Sequence, residues 1–180
     1  MRYLVLLSAL ALVVPAALAQ NLQQAYDAAT AGEGYDKLLV LDPKVAYTGG
    51  CSVLQGKKSC IRGNGATCNL DGSNIFVTQP GTVLDVTGCC LYDGGFSGAI
   101  YVADQGTANI DGNTVCKSGN GIYVWMYALA TVKNNIIFDN NKSGCTNYGI
   151  AKHLYTTSLN VLYNDVHQHY GGNYMYFCPG

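Results

Sequence analysis

The sequence predicts an all-β chain wound as a parallel β-solenoid of about five to six coils, with a short helix near its N-terminal end. Two apolar motifs recur nearly in step at spacings of 22 to 29 residues. The composition is that of strands and corners, with 22 Gly, 15 Asn and 14 Tyr but only 12% charged residues and a single Glu, Glu33. After Lys37 no helical period remains, and brief alternating strands are punctuated by Gly and Asn.

The elements follow in order. Residues 1–19 read as a secretory signal: Arg2, an apolar run from Leu4 to Leu18, and Ala17-Leu18-Ala19 before Gln20. The run is shorter than the ~20 residues of a membrane-spanning helix. Residues 20–180 are therefore expected to form one secreted or periplasmic domain with no membrane attachment after signal removal. Leu22, Ala25, Tyr26 and Ala29 fall at i, i+3, i+4 and i+7, the apolar stripe of a short helix. Leu38-Leu39-Val40-Leu41 then opens the strand region.

The repeat is visible when segments are aligned with one another. Val86, Ile110, Val132 and Val161 each stand three places before Cys89, Asn113, Asn135 and Asn164, and are spaced by 24, 22 and 29 residues. A second set, Ile75, Ile100, Ile122 and Ile150, advances by 25, 22 and 28. Stacked coils would place each set in one interior file, because a single coil cannot bury its apolar face alone. The asparagines would stack at one corner, where Asn tolerates a left-handed backbone and its amide reaches neighbouring coils. The extra residues of the longer spacings fall in 140–148 and 167–173, expected as loops.

All eight cysteines follow the signal segment, and an even count in an oxidising compartment predicts disulfides. Cys51 with Cys60 and Cys116 with Cys145 are the plausible pairs, although eight cysteines allow 105 pairings. The near-neutral charge excludes nucleic-acid binding by a basic patch.

The run Ala130 to Ile137, the Gly-Ile-Tyr-Val strand at 121–124, and Leu22-Gln23-Gln24-Ala25 followed by Tyr47-x-Gly49 resemble the pectin-lyase-like right-handed parallel β-helix superfamily. The resemblance implies a helix over the first coil, an asparagine ladder, and glycan binding on the first sheet. That sheet would hold the Ile-x-Val strands, whose outward residues are Phe76, Tyr101 and Tyr123, with Trp125 and Tyr127 beyond. Aromatic rings suit the apolar faces of sugars, and the competing reading is cross-strand filler.

A lyase of uronides needs a group to neutralise the carboxylate and a base to remove the adjacent proton. Asp104, Lys152 and His153 are the candidates. Alternation puts Lys152 in the interior file of Val102 and Val124, so either the register slips there or its ammonium emerges near Asp104. Calcium would be the cofactor if the chain is a lyase, yet the acidic cluster and arginine base of pectate lyases have no counterpart here; Arg62 is the one arginine after the signal. The paired carboxylates of galacturonase-like hydrolysis are missing too. His167 and His169 could face one way on a strand, without a third metal ligand in view. The expectation is thus engagement of an extracellular or cell-wall polysaccharide, with a non-catalytic structural or adhesive solenoid as the alternative.

Overall fold

A computed structural model describes residues 19–142, 147–155 and 158–175. Residues 1–18, which hold nearly all of the expected signal, lie outside them, as do Cys145 and Cys178. The chain forms a parallel solenoid of about six turns whose walls are three sheets of six, seven and seven strands. In each coil the chain runs through the first, second and third sheets in turn, as in Ile100–Val102, Thr107–Asp111 and Thr114–Cys116.

Both sets of repeat anchors are paired in register. Ile75, Ile100, Ile122 and Ile150 align across the first sheet, and Val86, Ile110, Val132 and Val161 across the second. All of these but Val161 are fully buried or nearly so. Leu91, Val115, Ile137 and Val166 form the matching file of the third sheet. Side chains alternate in and out along a strand, so each coil contributes inward aliphatics from all three walls to one continuous core.

The capping helix spans Leu22–Ala28, and the Asn21 side chain accepts a hydrogen bond from the Gln24 amide at its start. Leu22, Ala25 and Tyr26 are buried against the first coil. The Tyr26 hydroxyl lies 2.7 Å from Ser59 Oγ and accepts from the Leu54 amide, so the cap is held by polar as well as apolar contacts.

The asparagine ladder is present, with the left-handed residue one place earlier than expected. Gly88, Gly112, Asn134 and Tyr163 have positive φ, whereas Asn113, Asn135 and Asn164 do not. The asparagines serve instead as hydrogen-bonding rungs, with Asn113 and Asn135 buried and Asn164 partly so. The Asn135 side-chain oxygen accepts from the Asn113 amide at 2.9 Å, and Asn164 answers Asn135 in the same way at 3.0 Å. Cys89, the first rung, donates its amide to the Asn113 side chain at 3.0 Å.

A second polar ladder runs along the corner between the third and first sheets. The Gly94 amide donates to Ser118 Oγ, the Ser118 amide to the Asn140 side chain, and the Asn140 amide to His169 Nδ1. Left-handed Asp93, Lys117, Asp139 and Gln168 introduce these rungs. The loops that lengthen the last coils leave from this corner, after strands Ile136–Phe138 and Asp165–His167.

The expected disulfides are not formed among the described cysteines: Cys51, Cys60, Cys68, Cys89, Cys90 and Cys116 are all free thiols. Cys51 and Cys60 cannot meet because the wall separates them. Cys51 points into the core from the first sheet, whereas Cys60 sits in the outward file of the second sheet beside Leu38 and Asp85. The pairing of Cys116 with Cys145 falls outside the described residues.

Candidate functional site

The aromatic part of the first sheet's outward file is built by three-residue strands. In Ile75–Val77, Ile100–Val102 and Ile122–Val124 the flanking aliphatics are fully buried and the middle aromatic is half-buried. Register places Phe76, Tyr101 and Tyr123 one above another, with Ser52 before them and Ala151 after. The phenyl of Phe76 stacks on Tyr101 at 5.2 Å and Tyr101 on Tyr123 at 5.6 Å, with interplanar angles of 22° and 21°. A strand spacing of ~4.8 Å brings neighbouring rings face to face.

That stacking has a chemical consequence. Tyr101 has a ring on each side, so the ladder offers ring edges and hydroxyls rather than open faces. Burial raises both phenols, Tyr123 to about 12. At neutral pH both are intact hydroxyls, able to donate and accept.

Beyond Tyr123 the aromatic path turns along the strand. Trp125 meets Tyr123 edge-on at 5.4 Å, His153 lies against Trp125 at 3.9 Å, and Tyr155 follows at 5.5 Å. The backbone ladder continues beneath them, with Trp125 N–H donating to Val102 and His153 N–H to Val124. Tyr155, 62% exposed, presents its ring at the end of this path, while Tyr127, 53% exposed, makes no ring contact among the described residues.

The three candidate catalytic groups do not meet in one cluster. Asp104 is exposed and accepts from Thr78 Oγ1 at 3.4 Å. Lys152 pairs in register with Val124, so the strand has not slipped, and its side chain is partly exposed. It lies two strands from the Asp104 coil, a rise of about 10 Å. His153 Nδ1 accepts from the Tyr155 amide at 3.4 Å.

The two late histidines diverge, because the left-handed Gln168 between them turns the chain. His167 stacks on Phe138 at 5.7 Å. His169 is instead a rung of the third-corner ladder, its Nε2 on the Ile137 carbonyl at 3.1 Å, and burial lowers its pKa. Among the described residues no group of three His, Cys, Asp or Glu side chains is arranged to hold a metal ion.

Sequence reasoning missed a polar groove of about 360 Å³ on the outer face of the second sheet. Tyr35 O–H donates to Asp85, Asn109 donates to the same carboxylate, and Lys133 lies 3.2 Å from Asp111. The Asp85 contact pushes the Tyr35 phenol up to about 12. Arg62 pairs with Glu33 at 2.8 Å. Its partners are 22 to 50 residues apart, so only coil register could have announced them. Every charge named here is answered by a neighbour, which makes the groove a cross-coil brace.

No family model, curated protein or solved structure matches this chain. The functional reading therefore rests on the site itself.

Proposed function

We propose that the chain binds an extracellular or cell-wall polysaccharide along the first sheet, as a secreted member of the pectin-lyase-like superfamily. The observation that carries this is the continuous aromatic path from Phe76 to Tyr155, whose rings are spaced 3.9 to 5.6 Å apart across four coils. The Tyr101 and Tyr123 hydroxyls supply hydrogen bonds to sugar hydroxyls, and the rings at the end of the path supply apolar faces. The superfamily reading draws support from the capping helix and the asparagine ladder.

Affinity electrophoresis through gels containing neutral or uronide polysaccharides tests the reading. Tyr123→Phe, which keeps the stack and removes only the hydroxyl, and Trp125→Ala are both expected to lose retention. Retention equal to the parent chain in both variants would show that the path does not bind glycan. Incubation with polyuronides, with and without calcium, addresses catalysis separately. Unsaturated product that disappears in Lys152→Ala or His153→Ala would assign elimination to those bases.

A further inference from the structure

One corner position connects the first sheet to the second. Two residues before the strands beginning at Lys58, Val83, Thr107 and Leu129 stand Gly56, Gly81, Gln105 and Tyr127. All four have positive φ, at 66°, 78°, 69° and 59°. Glycine adopts this conformation without steric cost, and a bulky side chain there is an outlier. Two coils use the glycine that the backbone favours, and the fourth carries a tyrosine.

Packing does not account for that choice. Tyr127 is 53% exposed and its ring joins no stack among the described residues. What it does is wall a trough of about 640 Å³, lined by Pro80, Gly81, Gln105, Thr107 and Leu129 as well. The bare Gly81 leaves the floor open. The volume is within the ~300–1,000 Å³ of small-ligand sites. An amide, a hydroxyl and an aromatic ring above apolar floor atoms is the chemistry that recognises a sugar, and no charged side chain lines the trough.

The trough also lies off the line of the aromatic ladder. Phe76, Tyr101 and Tyr123 align along the solenoid axis, whereas Trp125 and Tyr127 follow Tyr123 across it toward the corner. We propose that the corner trough is a subsite for an uncharged sugar unit branching from the main chain of the bound polysaccharide. The Tyr127 ring packs on the sugar face, and Gln105 and Thr107 bond to its hydroxyls. The proposal rests on polysaccharide binding along the first sheet.

The test compares branched neutral polysaccharides (galactomannan, xyloglucan and arabinoxylan) with the same polymers after enzymatic removal of their side sugars. The full chain is expected to bind at least one branched form about tenfold more tightly than its debranched counterpart. Tyr127→Gly restores the residue used at Gly56 and Gly81, so its thermal midpoint should hold or rise while the branched-form advantage disappears. Equal binding of branched and debranched forms, still abolished by Trp125→Ala, would overturn the subsite and leave the first-sheet reading standing. An undiminished preference in Tyr127→Gly would overturn it equally. Failure of the parent chain to bind any polymer, uronides included, would overturn both.

Discussion

Replacing Asn135 by alanine should cost the fold far more than removing the same side chain one coil later. Asn135 is 1% exposed. Its side-chain oxygen accepts from the Asn113 amide at 2.9 Å and from the Asn113 side chain at 3.1 Å, while its Nδ2 donates to the Ile110 carbonyl at 3.0 Å. Truncation orphans the Asn113 N–H in a site closed to water and removes a donor from the Ile110 and Lys133 carbonyls. At ~1–3 kcal/mol for the buried unsatisfied N–H and ~0.5–1.5 kcal/mol for each of the two other bonds, the loss is about 2–6 kcal/mol. That is a large share of the ~5–15 kcal/mol of a typical domain. Asn164 makes equivalent bonds but is only partly buried, so water can replace them, and Asn164→Ala should cost about 1 kcal/mol. Urea denaturation followed by circular dichroism measures both. Equal, small losses in the two variants would refute the assignment of stability to buried rungs.

Two further outcomes follow from the same geometry. His169 accepts the Asn140 amide on Nδ1, so it fits the ladder only when neutral, and burial already lowers its pKa. A lowered imidazole binds fewer protons folded than unfolded near its ordinary value. Its contribution is therefore full above about pH 6.5 and is lost as pH falls through the folded value. Denaturation across this range should show that slope in the parent chain and a flatter one in His169→Asn; identical slopes would contradict it. For the thiols, burial pushes Cys51 and Cys68 up to about 12 and raises Cys89 and Cys116 as well, but Cys90 and Cys116 alone among these are partly exposed, on the third sheet. Brief alkylation of the native protein, read by peptide mass spectrometry, should label Cys90 and Cys116 first. Labelling of Cys51, Cys68 and Cys89 at the same rate would count against the packing.

The parts of the fold legible in the sequence were those in which one residue type repeats. Val86, Ile110 and Val132 share a shape because they share an environment, so their spacing revealed the coil. The third-corner ladder was hidden because Ser118, Asn140 and His169 do one job with three chemistries. The position of the left-handed residue was misplaced by one, since Gly88, Gly112 and Asn134 look like ordinary neighbours of the more conspicuous rungs. At the candidate site, alternation correctly put Phe76, Tyr101 and Tyr123 on one outward face. It could not show that their faces would be taken up by one another, because side-chain torsions leave no trace in spacing. Lys152 was only half legible: alternation assigned it to the interior file and the strand keeps that register, so the slip that the sequence suggested does not occur.

The two corner ladders share a direction. From Cys89 to Asn113 to Asn135 to Asn164, and from Gly94 to Ser118 to Asn140 to His169, a backbone N–H is always met by a side chain from the coil synthesised later. The corner donors of each coil are thus met by side chains of its successor, not of the coil before it. The advancing edge of the solenoid is its least satisfied part while the chain grows from its N-terminus, and removing a late coil uncovers donors in the coil before it. Growth along this axis has a grain, laid down by the same side chains that hold the finished walls together.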